Sequence, residues 1–176
     1  MENPDRPEPA EELVALYDPA DPAGRVVGAA IRSQVRRENL PHAATSVFLR
    51  RSGGELFVHR RSAGKDLWPG YHDCACGGVV LAGEDPDVAA VRELGEELGV
   101  TGVPLRSLLR TWYRDRHTWY LAHVYEAFWD GPVAFADGEV AEGWWEPEAR
   151  LRARLADPSW PFVPDTRALL ELIKPN

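Results

Sequence analysis

The segment Gly78 to Val100, GVVLAGEDPDVAAVRELGEELGV, constrains this chain more than any other, because it dictates a short helix and loads that helix with acids. Asp85 before Pro86 reads as an N-cap followed by proline at the first helical position, where its missing N–H costs nothing. Gly99 after Leu98 reads as the C-terminal stop, leaving a helix of about thirteen residues. At about 100° per residue, Val88, Val91, Leu94 and Leu98 make one apolar arc, expected to face a core, and Glu93, Glu96 and Glu97 fall on another. Glu96 and Glu97 lie in the last turn, where the negative end of the helix dipole disfavours acids, and like charges three and four apart repel. Such a cluster asks for a cation. Oxygen-only ligands suit a hard divalent ion, Mg2+ better than zinc, and no dense Cys/His cluster competes. A bare acidic helix face is more often solvated surface; here the spacing decides against that.

At every specified position the segment matches the pattern G-x5-E-x7-R-E-U-x-E-E-x-G-U, with U a bulky aliphatic, through Gly78, Glu84, Arg92, Glu93, Leu94, Glu96, Glu97, Gly99 and Val100. This is the Nudix box, and the chain resembles a Nudix hydrolase. The resemblance implies a loop-helix-loop that holds Mg2+ or Mn2+ and hydrolysis of a small organic diphosphate. It further implies that Glu93, Glu96 and Glu97 are metal ligands, that Arg92 orients the carboxylates, that Glu84 supports the loop or an outer metal, and that Gly78 contributes backbone.

The likeness extends over about residues 10 to 173. Leu40-Pro41-His42, Arg60-Arg61, Lys65, Trp68-Pro69-Gly70 and Asp137-Gly138-Glu139-Val140 resemble the Nudix branch that also contains the type I isopentenyl diphosphate isomerases, and within it the bacterial hydrolase-like members. In those isomerases a catalytic cysteine precedes the first glycine of the box, and acidic positions of the box are lost. Here Gly77 stands at that place, the nearest thiol is Cys76, and every acid is kept. In a strand, a shift of one residue turns a side chain to the opposite face. Hydrolysis is therefore expected, with isomerisation or a catalytically idle ligand-sensing module as the alternatives.

At 176 residues the chain is long enough for one domain with a sizeable core. A net charge of -8 argues against a nucleic-acid polymer or an anionic membrane as partner, since counterion release needs a basic face. Cys74 and Cys76, two apart, read as small buried strand residues rather than a disulfide. With no signal peptide and no apolar run near twenty residues, the expected compartment is the cytoplasm, and the expected form a monomer or homodimer.

Residues 1–12 are rich in Pro and acid and are expected to be a disordered tail ahead of a single domain over 13–176. Leu13 to Tyr17 and Arg25 to Ile31 read as a hairpin, followed by a short basic helix at Ser33 to Glu38. Strands follow at Thr45 to Arg50, Glu55 to Arg61, Ser107 to Tyr113, Trp119 to Trp129 and Val140 to Trp145. Helices at Pro147 to Leu155 and Asp165 to Ile173 close the chain. This mixture indicates a layered α/β sandwich, which the resemblance sharpens to a Nudix-type α/β/α sandwich with a mixed sheet.

Outside the box, Arg60, Arg61 and Lys65 follow a strand, a place from which cations can hold a diphosphate by charge-assisted bonds; the branch pattern favours Arg61 and Lys65. His42 sits where the isomerases carry a metal-binding histidine. Glu139 opens a late strand, where Nudix enzymes often supply a further metal ligand or general base, so Glu97 and Glu139 are both candidate bases. Trp160, in PSWPFVP, is a candidate cover for the organic group, as a late tryptophan is in the isomerases.

Overall fold

The computed structural model describes residues 11–135 and 138–175. Its elements are β1 (Leu13–Tyr17), β2 (Val26–Ile31), α1 (Arg32–Glu38), β3 (His42–Arg50), β4 (Glu55–Arg61), β5 (His72–Asp73), α2 (Pro86–Leu98), β6 (Arg106–Arg114), β7 (Trp119–Phe128), β8 (Val140–Pro147), α3 (Glu148–Leu155) and α4 (Pro164–Leu172). The expected tail falls mostly on residues 1–10, outside the described residues, while Glu12 is buried and pairs with Arg32.

The spine is β3, HAATSVFLR, an almost wholly buried strand. Along one edge His42–Arg50 pairs in parallel with Tyr120–Phe128 of β7, which in turn pairs antiparallel with β6. The other edge is shared. β1 takes its start at Leu16 to His42, β4 takes its end at Leu56 to Arg50, and between them the segment before the acidic helix bridges at Val79 to Ala44 and Cys76 to Val47. The sheet is thus mixed, with β2 outside β1 and β8 on β4.

Alternation along β3 divides the core between two faces. Phe48 packs with Leu151 of α3 and Leu169 and Leu170 of α4, whereas Val47 and Leu49 pack with Ala90, Leu94 and Leu98 of α2. Helices therefore cover both faces of the sheet, giving the expected sandwich. Arg50 ends β3 fully buried, donating to Glu126 on β7 and to Glu148 at the start of α3, so a paired charge ties sheet to helix.

The α2 boundaries follow the sequence signals. The Asp85 carboxylate accepts from the Asp87 N–H at 2.8 Å, and Gly99 takes the left-handed conformation at φ 66°. The buried arc matches the expected one at Leu94 and Leu98 only. Val88 and Val91 are 60% and 49% exposed, whereas Ala89, Ala90, Leu94, Glu97 and Leu98 are buried. Two alanines let the helix approach the sheet closely, and this rotation carries the Glu97 carboxylate inward.

Two strand histidines are buried without charge. Burial, followed by the Arg61 and Lys65 cations, pushes His59 down to about 3, and burial pushes His42 down to about 4. Between about pH 6.5 and 4 the unfolded chain takes up protons that these folded rings refuse, so stability falls as pH falls. Each such histidine costs about 1.4 kcal/mol per pH unit. Denaturant melts of wild type and His59→Gln across that window are expected to show a shallower acid slope in the variant; identical slopes would place the His59 ring in contact with water.

Candidate active site

The segment Ala75 to Val79 carries the site to the edge of β3. The Thr45 N–H donates to the Gly78 carbonyl at 2.9 Å, holding two glycines against the strand. Gly77 has φ 153°, and a Cβ there would collide with the Thr45 carbonyl. A Cβ on Gly78 would collide with the Glu93 carboxylate. Gly77 is needed because strand backbone approaches it closely, whereas a side chain at Gly78 would displace the end of Glu93.

Into that gap the last turns of α2 direct their acids. Glu97 is buried; its Oε2 accepts the Gly77 N–H at 3.1 Å and its Oε1 accepts from Lys65 Nζ at 3.2 Å. The same ammonium donates to Glu139, just before β8. Burial raises Glu97 well above the usual carboxylate range, with the Lys65 ammonium only partly opposing it. Glu139 moves the other way: burial tends to raise it, and Lys65 outweighs burial. Glu93 is raised by burial against the pull of Arg92.

Arg92 organises the outer acids as a fork. Its Nη1 donates to Glu93 at 2.6 Å and Glu96 at 3.2 Å, and its Nε donates to Glu84 at 2.9 Å. Glu84 also accepts the Leu81 N–H at 3.0 Å, which fixes the loop leading into α2. One guanidinium thus offsets the repulsion built into the helix. Among the described residues, no three acidic, histidine or cysteine side chains are gathered at metal-ligand spacing; Lys65 and Arg92 balance the carboxylates instead. The donor set still fits a hard divalent ion, being all oxygen, with the carboxylates of Glu84, Glu93, Glu96, Glu97 and Glu139 outnumbering the Lys65 and Arg92 cations.

These groups border a cavity of about 260 Å3. Gly78, Glu97, Glu139, Lys65, Arg61 and His42 line it. Arg61 donates to the Leu67 carbonyl at 3.0 Å and stands 3.7 Å from buried Asp73, while His42 shares its Nδ1 proton with the Leu40 carbonyl at 2.9 Å. Glu93, Glu96, Glu84 and Arg92 are not among the lining residues. Two candidates are placed elsewhere. Arg60 pairs with Glu142 at the surface, and Trp160 packs on Phe162 and His72 beneath the Arg154 guanidinium, outside the cavity lining.

Sequence reading missed part of the lining: Arg32 and Arg36 of α1, Thr118 just before β7, Tyr120 in β7, and Asp165 of α4. The four-residue spacing of Arg32 and Arg36 on a basic helix was the available signal. Trp68, singled out in the sequence only as part of the branch pattern, lines the cavity with a left-handed backbone at φ 55°.

Residues 40–166 match the NUDIX domain family. The chain is 44% identical over 173 residues to the Nudix hydrolase orf19 of Rhodococcus erythropolis, covering 92% of this chain and 91% of that protein. It is 42% identical over 159 residues to the Nudix hydrolase SCO1686 of Streptomyces coelicolor, covering 89% and 84%. The crystal structure of DR0079 from Deinococcus radiodurans superposes with a TM-score of 0.77 at 29% identity, covering 92% of this chain and 98% of that one. With the box geometry in place and these relatives sharing nearly its whole length, the chain belongs to the Nudix family and is a hydrolase of diphosphate bonds.

Proposed function

We propose that this protein is a Mg2+- or Mn2+-dependent pyrophosphohydrolase acting on a small nucleoside-diphosphate-like or other organic diphosphate. Its finer likeness is to the hydrolase-like members of the branch that includes isopentenyl diphosphate isomerases. The observation that carries the reading is the buried Glu97 carboxylate, fixed by the Gly77 N–H and facing Glu139 across the Lys65 ammonium. Nudix enzymes in general use divalent ions; Glu93, Glu96 and Glu97 would hold one here, with Gly78 and Glu84 in support. When bound, the ion neutralises diphosphate oxygens and acidifies the attacking water.

The chain's own residues do the remaining work. Lys65 and Arg61 bind phosphate oxygens from the cavity side. The Gly77 N–H and the Arg92 fork keep the carboxylates aligned, so little reorganisation is needed on reaction. The water proton passes to the Glu97–Glu139 pair, both members of which line the cavity. His42 is a candidate further ligand, its Nδ1 occupied and its ring neutral. Residues 13–176 work as one domain in a cytoplasmic monomer or homodimer. Among the described residues no helix is long and apolar enough to cross a membrane.

Geometry disfavours the isomerase alternative. The Gly77 position has no room for a cysteine Cβ beside Thr45, and Cys76 is packed with Val47 and Leu94 with its thiol raised by burial. A buried, protonated thiol suits packing rather than catalysis.

Glu97→Gln is expected to lower kcat by about 10^3-fold while the metal-free protein melts at or above the wild-type temperature, because a buried charge is removed. Near-normal turnover would refute the assignment. Millimolar Mg2+ or Mn2+ should raise the melting temperature of wild type more than that of Glu93→Gln, Glu96→Gln, read by differential scanning fluorimetry; equal shifts would mean the ions act elsewhere. Isopentenyl diphosphate with wild type and Mg2+ should give no dimethylallyl diphosphate above background, and Gly77→Cys should be destabilised rather than gain isomerisation. Conversion that vanishes in Cys76→Ala would reverse this reading.

A further inference from the structure

Two edge strands of the sheet are guarded differently. β6 pairs with β7 alone and carries exposed Arg106, Arg110 and Arg114 along its length. Charges so placed keep a foreign strand from adding to an open edge. β2 pairs with β1 alone, and its sequence VVGAAI holds no charge and no proline. Of the nine large apolar side chains exposed among the described residues, four lie on this hairpin: Leu13, Val26, Val27 and Ile31, between 43% and 57% exposed. The register shows which groups face out. The Arg32 N–H donates to the Glu12 carbonyl at 2.8 Å, and from there Leu13 lies opposite Ile31, Val14 opposite Ala30 and Ala15 opposite Ala29. Hydrogen-bonded pairs alternate along an antiparallel ladder, so Ala30 directs its backbone groups to β1, while the Ile31 N–H and both groups of Ala29 point away from it. Ala15 packs with Ala89 of α2, yet Ala29 and Ile31, on the same face of the sheet, are exposed.

Outward backbone groups on an uncharged strand with small residues at its middle are complementary to a second copy of the same strand. Two copies related by a two-fold axis through Ala29 would pair antiparallel, with Ala29 opposite Ala29 and Ile31 opposite Val27 of the second copy. The two Ala29 residues would exchange N–H and C=O bonds, and Val27 of one copy would continue the apolar row that Leu13 and Ile31 begin in the other. Charge permits the approach. The arginines flanking the strand are met within their own chain, Arg25 by Asp18 at 2.6 Å and Arg32 by Glu12 at 3.2 Å, so two chains of net charge -8 would meet along a strip of compensated charge. We propose that β2 is the contact through which this protein forms a symmetric homodimer, the sheet of one copy running into the next at Ala29. The proposal stands apart from the catalytic reading, since no residue of β2 lines the cavity. An interface one strand wide falls below the roughly 1,200–2,000 Å2 buried in a stable complex, so the dimer forms reversibly, at about micromolar concentrations or above.

Sedimentation equilibrium of the full chain tests this directly. Between about 1 and 200 µM the mass of wild type should rise from 19.6 kDa towards twice that value and no further. Ala29→Lys sets two ammonium groups opposite each other at the two-fold axis and should weaken association by about 10-fold or more, its fold being checked by a melting curve at low concentration. A second measurement reads the register. Paired residues at such a position have Cα atoms about 5.5 Å apart, within the span of a disulfide. Mild oxidation should therefore link Ala29→Cys into a covalent dimer at least about 10-fold faster than Val88→Cys, whose thiol would be exposed on α2 instead, and the native Cys74 and Cys76 are buried. A wild type that stays monomeric over the whole range would overturn the proposal. So would association unaltered by Ala29→Lys, a mass that grows past the dimer, or linkage no faster at position 29 than at position 88.

Discussion

The burial of one carboxylate organises this molecule. Glu97 sits in the last turn of α2 with its carboxyl out of water, an arrangement that costs the ionised form several kcal/mol unless partners compensate. Those partners come from separate elements: the Gly77 N–H from the segment on β3, and the Lys65 ammonium from the loop after β4, which also reaches Glu139. Each partner constrains its own element. Gly77 must lack a side chain so that its backbone can lie against the Thr45 carbonyl while its N–H reaches Glu97, and α2 must present alanines at Ala89 and Ala90 so that the helix lies close enough. Glycine pair, alanine pair and buried acid express a single requirement, which is that α2 approach the edge of β3.

The central strand explains why that edge is available. β3 pairs fully with β7 on one side, but on the other only its ends are taken, by β1 and β4. The middle of that edge is satisfied by the segment leading to α2, so backbone that would otherwise be open to pairing becomes the floor of the site. The buried Arg50 ion pairs hold the far end of the same strand to β7 and α3, which keeps the floor fixed relative to the helical layer that α3 belongs to.

The division of labour within the acidic cluster follows from how deep each acid sits. Glu84, Glu93 and Glu96 share Arg92, which keeps them aligned as a supporting row. Glu97 alone combines burial with a direct place on the cavity. A helix with these acids on a solvated face would be loosely arranged; here one arginine and one lysine pre-set them.

How much of this could be read in the chain depends on how local the cause is. The caps of α2, its length, the hairpin ahead of α1 and β4 in full were legible, because N-cap, proline and glycine act on their nearest neighbours and the Ser52-Gly53-Gly54 turn marks where β4 begins. The family was legible because the box is contiguous. The rotation of α2 was not, since Val88 and Val91 outrank alanine in hydropathy and only contact with β3 shows that the smaller residues face inward. Nor was the part of the cavity lining formed by Arg36, Tyr120 and Asp165, whose members come from α1, β7 and α4. Trp160 illustrates the converse: its aromatic context was plain, while its packing on Phe162, away from the cavity, was set by where α4 docks. Sequence by itself pointed to every element but β5, to the family and to the acidic cluster of α2. Tertiary structure decided which of those acids is buried and what faces it across the cavity, because burial and opposition belong to the approach of distant segments, to which no local pattern refers.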